Sequence, residues 1–147
     1  MTDSRKKSYE LKTKAGIPLD ISVSWLQKSL RRGQEEIALW VAEDLFSSGF
    51  QRYLLYRLWI ISHEDIGPAN LPLVQLVTST YQTWLLHKKE KKEFTHSGEN
   101  RVFNGNLIVA IARSPKCRLA DDATQFIFHK KQEGWVPEMN SLAVVDA

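Results

Sequence analysis

Apolar residues recur at helical spacing in six successive segments of this chain. A glycine or proline stands after each of them: Gly33, Gly49, Gly67-Pro68, Gly98, Pro115 and Gly134. Side chains three and four positions apart share a helix face, whereas a strand needs alternation, so this pattern selects helices and leaves no room for a sheet. Ile21, Trp25, Leu26 and Leu30 make one stripe, with Asp20 or Ser22 placed to cap its start. Arg31 and Arg32 complement the dipole at its end, and Gly33 suits the left-handed position that follows. The second segment, 34–47, carries Ile37, Trp40, Val41 and Leu45. The third, 50–63, carries Tyr53, Leu54, Leu55, Leu58, Trp59 and Ile61. It is apolar over most of its circumference and so belongs at the centre of a bundle. The fourth, 70–87, tolerates Pro72 in its first turn and carries Leu73, Val74, Val77, Tyr81, Trp84 and Leu85. The fifth, 102–113, carries Phe103, Leu107, Ile108 and Ile111 and is stopped by Ser114-Pro115. The sixth, 119–131, carries Ala120, Ala123, Phe126 and Ile127. Val144-Val145 is too short to count as a strand. The expected fold is an all-α bundle of about six helices over residues 20–131. A basic flexible tail, 1–19, precedes it, and a C-terminal tail, 132–147, follows. Trp25, Trp40, Trp59 and Trp84 lie on apolar stripes and are assigned to the core.

A chain of 147 residues suits one domain with a real core. Its single cysteine, Cys117, permits no disulfide within the chain, which fits an intracellular setting, cytoplasm, nucleoid or nucleus. Residues 1–14 are polar and basic and do not make a secretory signal. No apolar run is long enough to span a membrane. Charge is uneven: residues 1–32 hold eight Lys and Arg against three Asp and Glu, and residues 33–87 hold two against six. The basic clusters are Arg5/Lys6/Lys7, Lys28/Arg31/Arg32, Lys88/Lys89/Lys91/Lys92 and Arg113/Lys116/Arg118. Gathered on one face they would form a phosphate track; scattered, they are solvated helix ends. Trp135 is read as a lid over the bundle, with a base-stacking platform as the alternative.

Catalytic motifs are missing. There is no G-x-x-x-x-G-K-[ST] phosphate loop and no G-x-G-x-x-G. His63-Glu64 begins like a zinc-protease motif, but Gly67 stands where the second histidine is needed. His87, His96, His129 and Cys117 lack ligand spacing, so neither metal nor cofactor is expected. Cys117, between Lys116 and Arg118, has no histidine placed to act as its base and is read as structural. Glu64 and Asp65 are adjacent carboxylates after a very apolar helix. Acid/base work is one reading. The simpler one is that they satisfy helix N-terminal amides and hold the Gly67-Pro68 turn, with Arg57 offsetting charge that a helix C-terminus disfavours. No catalytic residue is assigned, and the chain is not expected to be an enzyme.

Residues 22–67 read SVSWLQKSLRRGQEEIALWVAEDLFSSGFQRYLLYRLWIISHEDIG. This stretch resembles the C-terminal region of the replication-associated recombination protein A family of clamp-loader-like ATPases, which includes the Werner-helicase-interacting ATPase. That family shows S-A-x-x-K-S-x-R-G-S, then D-x-A-L-Y-W-L-A-R-M-L, then R-R-L-x-R-x-A-S-E-D-I-G. Ser29, Arg31 and Gly33 fall on the first segment, and Ala38, Leu39, Trp40 and Ala42 on the second. Arg57, Leu58, Ser62, Glu64, Asp65, Ile66 and Gly67 fall on the third. The family's A-L-A-P-K-S-N is similar to the run from Ala110 to Lys116, with Pro115 and Lys116 matching and Cys117 replacing the serine. The resemblance covers about residues 20–130. The family's phosphate loop, Walker B segment and arginine finger have no counterpart, and the Lys88–Lys92 run is more basic than the family's. The chain is thus expected to be a stand-alone relative or a piece cut from a longer protein.

In that family this region is a helical collar that holds subunits together. The resemblance therefore implies a clamp-loader-collar-like bundle, a dimer or tetramer of the chain, and partners in DNA replication, recombination or repair. It does not imply ATP hydrolysis. Candidate interface residues are Tyr53, Tyr56 and Trp59, which exceed one apolar stripe and are of the type favoured in interface cores. The alternative is direct binding of single-stranded DNA by Lys28, Arg31, Arg32, Lys88, Lys89, Lys91, Lys92, Arg113, Lys116, Arg118 and Trp135.

Overall fold

A computed structural model describes residues 10–90 and 98–138. Arg5, Lys6, Lys7, Lys91, Lys92, His96 and Val144-Val145 lie outside the described residues. The protein is an all-α bundle. Its helices are α1 (Leu19–Arg31), α2 (Glu35–Ser47), α3 (Gln51–Ile61), α4 (Leu71–Glu90), α5 (Gly98–Arg113) and α6 (Leu119–Gln132). A π turn (Ser62–Ile66) and a 3-10 turn (Gly67–Ala69) join α3 to α4. Among the described residues the extended backbone amounts to one isolated bridge, Lys12 to Pro18. No helix among them is long and apolar enough to cross a membrane.

The core lies where α3 meets the other helices. Leu54, Leu55, Leu58 and Ile61 of α3 are fully buried, with Leu26 and Leu30 of α1, Val41 and Leu45 of α2, Val77 and Trp84 of α4, and Leu107, Ile108 and Ile111 of α5. The buried amides of α3 and α5 are paired, as burial favours, whereas the buried Ser22 Oγ has no hydrogen-bond partner among the described residues. The amides of Gln51 and Asn104 exchange hydrogen bonds of 2.7 and 2.8 Å. Trp84 Nε1–H donates to Asn100 Oδ1 at 2.8 Å. These two asparagines explain why α5 begins at Gly98 rather than at 102. Asn100 and Asn104 extend the inward face formed by Leu107, Ile108 and Ile111, but as polar residues they hide it from an apolar count.

Three expectations are corrected. First, α1 starts at Leu19 with Pro18 as its N-cap, and neither Asp20 nor Ser22 caps it by side chain. Residues 10–18, expected to be tail, fold back onto α2. Leu11 packs against the core and Thr13 is buried. The Lys14 N–H donates to Ser48 Oγ at 2.8 Å, and the Ala15 N–H to Asp44 Oδ1 at 3.2 Å. Secondly, Trp25 and Trp40 are not core. They are 40% and 51% exposed and pack on each other across α1 and α2, ring centroids 5.8 Å apart. Thirdly, α6 has no buried residue at all. It rests on the two turns between α3 and α4, and leaves Leu119, Phe126, Ile127 and Phe128 exposed. The backbone N–H of Trp135 donates to the Lys130 carbonyl, and its side chain remains exposed beyond α6 and does not cover the bundle.

Candidate functional site

Two places gather the residues singled out by sequence. The first is the π turn. A π turn widens a helix by one residue per turn and is common at functional sites. Here it carries Asp65 into the interior, where the residue is fully buried. Gln27 of α1 donates through Nε2 to Glu64 Oε2 at 2.6 Å and to Asp65 Oδ2 at 3.3 Å. Arg57 reaches these carboxylates only through Gln27, donating to its Oε1 at 3.1 Å. Arg118 places Nη1 3.4 Å from Asp65 Oδ1 and pairs with Asp121 at 3.1 Å. The Cys117 N–H donates to the Asp65 carbonyl at 2.8 Å. Burial pushes the Asp65 carboxyl up. The Gln27 hydrogen bond and the Arg118 and Arg31 charges pull the other way. Burial likewise lowers the Lys116 ammonium, opposed by Asp65.

The expectation for Glu64 and Asp65 is thereby revised. Their carboxylates are held by the side chains of Gln27 and Arg118, not by helix N-terminal amides. The Gly67-Pro68 turn is fixed instead by backbone: Gly67 takes φ 43°, and the Asn70 N–H returns to the Gly67 carbonyl at 3.2 Å. A Cβ on Gly67 would lie 3.9 Å from the Cys117 carbonyl, so the segment around Gly67 and the one around Pro115 and Lys116 adjoin. Arg57, Glu64, Asp65, Gly67, Pro115 and Lys116 therefore meet at one junction. Its chemistry is that of a clamp tying α1, the π turn and the root of α6 together.

Among the described residues the basic end of α1 adjoins the basic end of α5: a Cβ on Gly33 would lie 3.3 Å from the Ala112 carbonyl, and Arg31 and Arg118 both act on Asp65. Arg113 forms an ion pair with Glu35 at 2.8 Å, and that hydrogen bond holds the Glu35 carboxyl below its ordinary range. Lys116 Nζ donates to the Ala112 and Ser114 carbonyls at the end of α5. Arg118 is committed to Asp65 and Asp121. Lys28 and Arg32 are exposed on α1 and just after it. Asn70 Nδ2 donates to Ser114 Oγ, so the start of α4 adjoins this corner. Lys88 lies eighteen residues farther along α4, about 27 Å away at 1.5 Å per residue.

The second place is aromatic. Tyr53, Tyr56 and Trp59 of α3, the candidate interface residues, form a ladder with two rings missed by sequence, Tyr81 of α4 and His63 of the π turn. Centroid separations are 6.4 Å for Tyr53–Tyr56, 6.2 Å for Tyr56–Trp59, 6.5 Å for Tyr56–Tyr81, and 6.1 Å for both Trp59–Tyr81 and Trp59–His63. An open groove of about 420 Å³ runs beside it, lined by Gly49, Phe50, Arg52, Tyr53, Tyr56 and Tyr81. His63 was findable, being four residues after Trp59 on the same face. Tyr81 was not, because pairing it with Tyr56 needs the register of α3 against α4.

No protein-family model matches the chain, and no curated protein matches it in sequence.

Proposed function

We propose that this chain is a non-catalytic helical module that assembles with copies of itself, as a dimer or tetramer, and serves DNA replication, recombination or repair. One observation carries the assembly reading. Helix α6 is a regular helix of 14 residues without a single buried side chain, yet it bears Leu119, Phe126, Ile127 and Phe128. Most helical stability in proteins comes from burying apolar side chains, and the described residues leave those of α6 uncovered. Large apolar side chains left exposed together on one helix mark an interaction surface.

The DNA-processing context rests on the resemblance to the clamp-loader-like family. Its support is the meeting of the two motif segments at the Asp65 junction, although they are some fifty residues apart in sequence. The carboxylates that would serve an enzyme, Glu64 and Asp65, are engaged by Gln27 and Arg118, which favours a structural role. Light scattering coupled to size-exclusion chromatography tests the assembly. A mass of two or four chains is expected, falling to one chain in Phe128→Asp. A strict monomer at high concentration would remove the proposal.

A further inference from the structure

We propose that the groove between α3 and α4 binds single-stranded nucleic acid, stacking bases on Tyr56 and its neighbours while Arg52 meets the phosphate backbone. This inference is independent of α6 as an assembly face. It places nucleic-acid contact away from the Arg113, Lys116 and Arg118 corner, whose cations are already paired.

The rings come first. Tyr53, Tyr56, Trp59 and Tyr81 form a continuous aromatic surface beside an open groove of about 420 Å³, and Tyr56 at its centre is 40% exposed. Aromatic side chains on which successive bases stack are the common device of proteins that hold single strands, and they are tolerant of sequence because every base has a π-face.

Charge selects the occupant. Helix α3 contains no Asp or Glu, and α4 has none before Glu90; of the two arginines of α3, Arg57 is turned to Gln27 and Arg52 is left to the groove. Arg52 is exposed and lines the groove. Helices α3 and α4 are joined by tight turns and pack together as a hairpin. The acids at the end of α2, near the Gly49 side of the groove, are engaged: Glu43 pairs with Arg101 and Asp44 accepts from the Ala15 N–H. A groove lined by rings and one exposed guanidinium, with no carboxylate in its lining, matches a polyanion that carries aromatic bases. A proline-rich peptide would use the rings alone and leave Arg52 without a role.

The test is fluorescence anisotropy of labelled thymidine and uridine homopolymers and of a DNA duplex, at several salt concentrations. Wild type and the Tyr56→Ala, Tyr56→Phe and Arg52→Gln variants are compared, each checked by circular dichroism and by light scattering. Saturable binding of one or both homopolymers is expected, tighter than that of the duplex. Tyr56→Ala should weaken it at least about fivefold, the lower end for one lost stacking partner, while Tyr56→Phe binds as wild type. Arg52→Gln should reduce the slope of log affinity against log salt by about 0.7. Failure to bind either homopolymer at low salt would overturn the proposal. So would undiminished affinity in folded Tyr56→Ala, or preference for the duplex. A proline-rich peptide bound in place of the homopolymers, or a loss of oligomer mass in Tyr56→Ala, would assign the groove to protein and overturn it equally.

Discussion

Arg118 holds its Nη1 atom 3.4 Å from Oδ1 of the fully buried Asp65, while the adjacent Cys117 N–H binds the Asp65 carbonyl at 2.8 Å. One ion contact and one backbone hydrogen bond thus fasten the root of α6 to the π turn. Removing the cation leaves a buried carboxylate with Gln27 as its remaining hydrogen-bond donor. Arg118→Met should destabilise the fold by about 1–3 kcal/mol, the range for a buried polar group that loses its partner. Urea unfolding followed by tryptophan fluorescence measures it. An unchanged midpoint would show that the contact contributes nothing.

The same carboxylate gives the protein a signed pH dependence. Burial raises Asp65 above the ordinary aspartate value of 3.8. As pH climbs from 3.8, the unfolded chain releases this proton first, so the folded state binds more protons and stability falls. The contribution is complete below 3.8 and is lost as pH rises through the folded value. Glu35 runs the other way. Its lowered value contributes stability above the ordinary carboxylate range that is lost on acidification. Asp65→Asn isolates the buried group. Its stability relative to wild type should become more favourable as pH rises through that window. A difference that stays flat with pH would contradict the assignment.

Periodicity identified all six helices because each apolar stripe is bounded by a glycine, a proline or a change to charge. It did not show which stripes are covered. Ile21 and Trp25 share a helix with Leu26 and Leu30, but only the latter pair is fully buried, and Ile21 is left 56% exposed. Coverage is a property of the neighbours, and no residue of α6 announces that the described residues leave its apolar side chains exposed. The aromatic site was half legible for a related reason. Tyr53, Tyr56 and Trp59 lie on one helix at readable spacing, while Tyr81 joins them through tertiary register. The Asp65 junction was legible as a motif. Its central donor, Gln27, was not, since a glutamine on an amphipathic helix reads as a solvated position.

Two glycines with similar backbone should respond differently to alanine. Gly33 and Gly49 both end a helix with positive φ, 68° and 86°. Either substitution strains the left-handed conformation, by about 1–2 kcal/mol. A Cβ at Gly33 would also lie 3.3 Å from the Ala112 carbonyl, whereas nothing stands within 4 Å at Gly49. Gly33→Ala should therefore lower the thermal midpoint more than Gly49→Ala. Equal losses would mean that α5 gives way at no cost.

The Gln51–Asn104 pair offers the sharpest energetic test of the interior. Both residues are buried, and their amides satisfy each other at 2.7 and 2.8 Å across α3 and α5. Each single change, Gln51→Leu or Asn104→Leu, leaves the opposite amide without its partner in an apolar setting. Each should cost about 1–3 kcal/mol. Changing both removes the desolvated amides together, and apolar replacements of similar shape can be nearly neutral. The double variant should consequently be more stable than the sum of the singles predicts, with a coupling of about 0.5–3 kcal/mol in a double-mutant cycle. Strict additivity would mean that water or a shifted backbone already satisfies each amide when its partner is gone.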